Sequence, residues 1–363
     1  MSTPTATDRT GRLLGELAGA DLDLLLVTDL TNVRYLTGYS GSNGLALVGP
    51  ETRVFVTDFR YVEQAAEEVD ASFERIQAVQ DLVNSLPDLL PQGPLQLGFD
   101  DAHTSVKAHA RLRELLPDSV DLVAAGGLVE HLRTVKEPGE VEVMAAATRI
   151  ADQAFTALLA AGLRGRTERE LALALEVEMR RRDADGPSFP SIVAAGPHGA
   201  LPHAQPRDVA VADGDVVVID WGAVYRGYCS DCTRTVVVGR ADERTREAYE
   251  LVLESQLAGL DAVVVGGDGR EIDAGVREII AAAGHGEHFG HGLGHGVGLE
   301  IHEAPTLSMR STDTLQAGTV VTVEPGVYLP GEFGIRIEDL VVVGAAGANR
   351  ILTALPKHLQ VVD

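Results

Sequence analysis

Four acids hold matched places in two valine-rich segments. Residues 216–239 read Val-Val-Val-Ile-Asp-Trp-Gly-Ala-Val-Tyr, a glycine turn, then Asp231 and a closing Val-Val-Val-Gly. Residues 320–344 read Val-Val-Thr-Val-Glu-Pro-Gly-Val-Tyr, a glycine turn, then Glu338 and again Val-Val-Val-Gly. Each reads as a buried strand ending in an acid, a glycine two residues on, a turn, and a returning strand that carries a second acid, so the two segments form a structural repeat. Asp220 and Asp231 flank a midpoint at Tyr225-Arg226, beside Gly227; Glu324 and Glu338 flank Gly331. Facing residues of a hairpin point to one side of the sheet, so each pair converges. A carboxylate on an apolar strand is costly unless its charge is offset, and about two divalent cations would offset the four.

The histidines add a neutral donor. Residues 289–303 read Phe-Gly-His-Gly-Leu-Gly-His-Gly-Val-Gly-Leu-Glu-Ile-His-Glu and hold His291, His295 and His302. Their glycines forbid a regular helix and let backbone approach a ligand closely. No Gly-Lys-Ser/Thr follows, so this is no phosphate loop, and the His-Glu-x-x-His pattern of helical zinc proteases is absent too. Mostly oxygen donors with one imidazole suit a hard to borderline ion, manganese first, with cobalt, zinc or iron as alternatives.

The elements that must position these groups fall into two regions. Residues 9–20 read as a helix, 22–27 as a buried strand, and 31–44 as a loop with a short helix. A strand pair at 45–48 and 53–57, a helix at 61–69, a strand at 95–99, a helix at 105–116 and a strand at 120–124 complete an alternating α/β domain that ends near Arg133. Lys136-Glu137-Pro138-Gly139-Glu140 is a helix start, opening helices over 140–161 and 168–182. Strands at 216–220 and 233–238, helices at 243–264 and 270–283, and strands at 320–324, 334–338 and 340–343 follow. This second region is α+β, with antiparallel hairpins in place of crossover units. The expected domains are 1–133 and 134–363.

Composition excludes several classes. Among 363 residues, Asp and Glu number 54 and Lys and Arg 30, a formal charge of −24. Such a surface repels phosphate backbones and anionic lipid heads, so no nucleic-acid and no membrane partner is expected. The first residues lack a basic start followed by an apolar core, and no apolar run is long enough to span a bilayer; the expected location is cytoplasmic. The two cysteines, Cys229 and Cys232, have redox-motif spacing, but residues three apart on a strand point to opposite faces, so they read as buried and unpaired.

Together the residues resemble a known family. Asp220, Asp231, His295, Glu324 and Glu338 are similar, in order and spacing, to the five-ligand set of the pita-bread metallopeptidases. The blocks at 291–302, 323–328 and 334–339 resemble its aminopeptidase P and prolidase (Xaa-Pro dipeptidase) branch. The likeness covers essentially the whole chain and implies a creatinase-like α/β N-terminal domain at 1–133 followed by a pita-bread catalytic domain at 134–363. Methionine aminopeptidases share the ligands but generally lack such an N-terminal domain.

The resemblance implies roles. Asp220 would chelate one of two metal ions, Asp231 and Glu338 would bridge them, and His295 and Glu324 would bind the other. Glu324 would also shuttle the proton of the attacking water, His302 would donate to the tetrahedral intermediate, and His203 would line the proline side of the cleft. His291 and Arg336 would support the ligands or meet the end of the substrate. Tyr39 and the loop at 40–43 are candidates for selecting substrate length across a homodimer. The implied substrates are small peptides with proline second. The first reading is a dipeptidase and the alternative an aminopeptidase acting on longer peptides. A catalytically inactive binding module and a creatinase-type hydrolase are the rivals; both would lack metal ligands, and here the set is intact.

Overall fold

Short apolar runs in the first 133 residues form one mixed sheet. The computed structural model describes residues 6–79 and 81–363, and the chain divides into two compact units, Met1–Arg133 and Thr134–Asp363. The first holds strands β1 (Leu24–Val27), β2 (Leu45–Gly49), β3 (Thr52–Asp58), β4 (Glu74–Ala78), β5 (Leu95–Phe99) and β6 (Val120–Ala124), in the order β4-β3-β2-β1-β5-β6. Only β2 runs antiparallel to its neighbours; β1, β5 and β6 are parallel, with Leu26 opposite Phe99 and Phe99 opposite Ala124. Alternate residues Leu26, Leu47, Val56 and Leu97 are fully buried and make the core of one face.

The short helix expected near 31–44 runs Leu30–Thr37, started by the Asp29 carboxylate on the Asn32 amide and stopped by Gly38 at φ 86°. Buried Asn32 and Thr37 mask its apolar period. Strand β4 escapes the hydrophobic pattern because Glu74, Arg75 and Gln77 are exposed. Tyr39 is packed within the first unit. Its ring packs against Phe55 and Tyr61, its hydroxyl donates to the Asn43 carbonyl at 3.1 Å, and it is 1% exposed. It is a core residue of the first unit.

In the second unit, two helices carry reciprocal caps at their starts, Glu137 with Glu140 ahead of Pro138–Ala160 and Thr167 with Glu170 ahead of Glu168–Arg180, which satisfy otherwise orphaned amides. The first of them packs on a four-stranded sheet made of Ile192–Ala195, Val216–Trp221, Cys232–Val238 and Gln360–Val362. Phe155 of that helix stacks on Trp221 at 4.4 Å, and the indole N–H donates to the Ala151 carbonyl. A five-stranded sheet of Gly294–Gly296, Glu303–Leu307, Val320–Val323, Asp339–Val342 and Arg350–Ile351 is backed by helices Glu243–Ala262 and Gly269–Ala282. Val252, Val276 and Ile280 of those helices share a core with Val321, Val323 and Val341. Strands Gly326–Leu329 and Phe333–Arg336 extend the second hairpin. Apart from the parallel strand Gln360–Val362, every pairing in this unit is antiparallel.

Candidate metal centre

The two hairpins present their acids differently. In the second, Gly326 faces Arg336 and Val323 faces Asp339, so Glu324 and Glu338 lie directly opposite one another, as the symmetry about Gly331 suggests. In the first, the turn is Arg226-Gly227, with φ of 48° and 80°, one residue beyond the expected midpoint. Asp220 therefore faces Thr233, and Trp221 faces Cys232. Asp231 sits diagonally to Asp220, two residues from Thr233, and the even spacing keeps both acids on one face. The offset places a hydroxyl where a second acid was expected.

All four acids, with His203, His291, His295, His302 and Arg336, line one cleft of about 880 Å³. His295 Nε2 lies 3.5 Å from Asp231 Oδ2 and 3.4 Å from Glu324 Oε1. Donor atoms of Asp231, His295 and Glu338 all fall within 4.8 Å of one another. The Nδ1 of His295 is 3.0 Å from the Gly296 carbonyl. That contact assigns the proton to Nδ1 and turns the Nε2 lone pair toward the carboxylates, the arrangement of a metal-ligating imidazole.

The electrostatics show what this cluster lacks. Burial pushes Asp231 and Glu338 well above the carboxylate range, and the other acids of the cluster push them further. Burial also raises Glu324 to about 8, against the attraction of Arg336. Burial drives His295 down to about 4, with His302 adding to the effect. Asp220 Oδ1 and Glu338 Oε1 are buried and have no hydrogen-bond partner. Acceptors left bare among converging acids, beside an imidazole with an outward lone pair, fit divalent cations held by oxygen and nitrogen donors.

Arg336 and His291 form the support beneath. The Arg336 guanidinium donates to Asp220 Oδ2 at 2.6 Å, Thr233 Oγ1 at 3.0 Å and the Tyr328 hydroxyl at 2.7 Å. With its donors engaged in this way and 3% exposure, Arg336 braces Asp220 against Thr233 and Tyr328. His291 Nδ1 lies 2.8 Å from the Gly292 carbonyl, and its Nε2 is 2.9 Å from the Tyr328 hydroxyl, which already accepts from Arg336. The hydroxyl proton thus points to a neutral His291, and burial beside Arg336 pulls that imidazole down to about 4. His302 stacks edge-on against His295 at 4.3 Å, and burial lowers its proton affinity.

Several contributors carry no motif. Thr233 donates to Glu338 Oε2 at 2.7 Å, and Thr322 donates to Glu324 Oε1 at 3.3 Å. Each stands two residues from a proposed ligand on the same strand face, which is the signal that would have found them. Glu168 is wholly buried and grips both feet of the segment that carries Pro202 and His203. It accepts from the Ala195 amide at 3.0 Å and from the Arg207 amide, Nε and Nη2 at 2.8–3.0 Å, and it contacts His198 Nδ1. Cys229 and Cys232 are free and buried; burial pushes the Cys229 thiol up to about 12, so neither is a ready nucleophile.

Comparison with known proteins decides the family. The Metallopeptidase family M24 model matches residues 142–345, and the Creatinase/Prolidase N-terminal domain model matches 9–135. The chain belongs to metallopeptidase family M24. An uncharacterized peptidase of Bacillus subtilis is 42% identical over 96% of this chain and 98% of its own, and the Xaa-Pro dipeptidase of Pyrococcus horikoshii is 36% identical over 91% and 92%. Among solved structures, the Xaa-Pro dipeptidase of Bacillus anthracis superposes with a TM-score of 0.94 at 38% identity, covering 99% of this chain and 100% of that one. The X-Pro aminopeptidase of Thermotoga maritima gives 0.88 at 37% identity, covering 98% and 100%. Family membership makes this an α+β metallopeptidase in which a creatinase-type domain precedes the catalytic one.

Proposed function

We propose that the chain is an Xaa-Pro dipeptidase that holds two divalent ions, manganese in the first instance, on Asp220, Asp231, His295, Glu324 and Glu338. The observation that carries this reading is the convergence of these five side chains with two buried carboxylate oxygens left bare. When bound, the ions supply an activated water and a polarised scissile carbonyl.

The protein's own groups do the rest. Glu324 takes the proton of the attacking water and passes it to the departing proline nitrogen. His302, at the cleft surface, donates to the tetrahedral oxygen. His203 lines the proline side, on a segment fixed by Glu168. Arg336 keeps Asp220 in its ligating orientation. An Xaa-Pro bond is a tertiary amide without an N–H, so a site that depends on gripping that N–H fails on it, and one built on carbonyl activation and a ring pocket does not. The buried, unpaired cysteines support work in the reducing cytoplasm. The homodimer rests on the family resemblance.

A second reading has one observation behind it. The cleft is also lined by Arg169, Leu173 and Glu176, and its volume lies high in the usual ligand-pocket range of roughly 300–1,000 Å³. That room suits an aminopeptidase acting on longer chains.

The test compares an Xaa-Pro dipeptide with an Xaa-Pro-Yaa tripeptide on the manganese-loaded enzyme. The dipeptide is expected to be the better substrate. Equal efficiency on the tripeptide moves the assignment to the aminopeptidase, and hydrolysis of neither removes the Xaa-Pro reading.

A further inference from the structure

A second cluster of donors lies in the first unit, at the carboxyl ends of three neighbouring parallel strands. Asp29 follows β1, Asp100 and His103 follow β5, and Glu130 stands on the helix Leu128–Thr134 that follows β6. In open α/β sheets, ligands bind in the crevice outside the carboxyl ends of the strands. Donor atoms of Asp100, His103 and Glu130 lie within 4.8 Å of one another.

Three features distinguish the cluster from a chance meeting of surface acids. Asp100 is 6% exposed, yet its Oδ1 is buried without a hydrogen-bond partner. His103 Nε2 stands 3.6 Å from Glu130 Oε1, too far for a hydrogen bond and close to the roughly 3.3 Å between two ligand atoms of a tetrahedral ion with bonds of about 2.0 Å. Asn32 braces the pair from behind. Its amide donates to Glu130 Oε1 at 2.6 Å and Asp100 Oδ2 at 3.4 Å, and Arg133 fixes the amide by donating to its carbonyl at 2.7 Å.

We propose that Asp100, His103 and Glu130 bind a divalent cation of borderline hardness, such as zinc, with water completing the shell. His103 is 39% exposed, so the ion exchanges with solvent. The site ties together the ends of β5 and β6 and has no part in peptide hydrolysis.

The test is equilibrium dialysis of the chelator-treated full chain against zinc ion, followed by elemental analysis. His103→Ala and Glu130→Gln are each expected to bind one ion fewer per chain than the wild type, with peptidase activity retained. The Glu130→Gln exchange keeps the side-chain length and an oxygen for Asn32, so it preserves the fold if His103→Ala does not. Unchanged stoichiometry in both variants overturns the proposal. The loss of an ion in His358→Ala as well, an exposed histidine of the other unit, overturns it by showing adventitious binding. Asp231→Asn separates the two sites: it is expected to lose ions that His103→Ala keeps. If instead only His103→Ala and Glu130→Gln lower the count, this site stands while the catalytic ligand assignment falls.

Discussion

The Arg336 guanidinium meets Asp220 Oδ2 at 2.6 Å while its Nε meets Thr233 and its Nη1 meets Tyr328. One rigid fork thus fixes a proposed ligand against two neighbours. A lysine keeps the charge but cannot make these contacts together. Arg336→Lys is expected to lower metal affinity or activity about 10–100-fold, the usual cost of removing a group that orients a ligand. Metal titration followed by rate measurement reads this out. Wild-type affinity in the variant would show that the fork positions nothing.

Thr233 is the complementary case. Its hydroxyl accepts from Arg336 Nε and donates to Glu338 Oε2, and the residue is fully buried. Thr233→Val keeps the shape and leaves both partners without that contact, at a cost of about 1–3 kcal/mol. The expected result is a folded protein with weakened metal binding, checked by denaturation with and without the ion. A deficit that is the same with and without metal would place the role of Thr233 in the core alone.

The legible part of the site follows from period. Acids on valine strands flanking a glycine turn pair through a spacing of two, so Glu324 and Glu338 could be set opposite one another directly. The first hairpin slipped because Arg226, a non-glycine residue, takes φ 48° and moves the turn by one position. Thr233 and Thr322 share the face of the acids, but a hydroxyl on a strand announces no chemistry without its partner. Glu168 reads as an ordinary first-turn acid, because its partners at Ala195, His198 and Arg207 are 27, 30 and 39 residues away.

That clamp yields its own expectation. Glu168 holds both feet of the His203 segment, and Arg207, one of its partners, is partly exposed. Glu168→Gln loses the charge that takes two guanidinium bonds, a loss of about 1–3 kcal/mol. The segment loosens without touching the proposed ligands. KM for an Xaa-Pro substrate is expected to rise more than kcat falls, with metal content unchanged. Steady-state kinetics decide it: a fall in kcat at constant KM would mean that the clamp serves the ligands and not the substrate.

Removing the metal exposes the cost of gathering these acids. Burial holds Glu324 near 8, against an ordinary value of 4.5, and Asp231 and Glu338 also lie far above the carboxylate range. An acid whose folded pKa is raised binds protons more tightly folded than unfolded. Its penalty is absent below the unfolded pKa and grows as pH climbs toward the folded one. The chelated protein is therefore expected to lose stability as pH rises from about 4.5 to about 8, a window set by Glu324. Divalent ion should restore stability most at the upper end, because the ligands then bind it without first giving up protons. Denaturant midpoints across this range, with chelator and with manganese, test the argument. A chelated enzyme that gains stability over the same window would mean that the four acids are not buried together as free carboxyls.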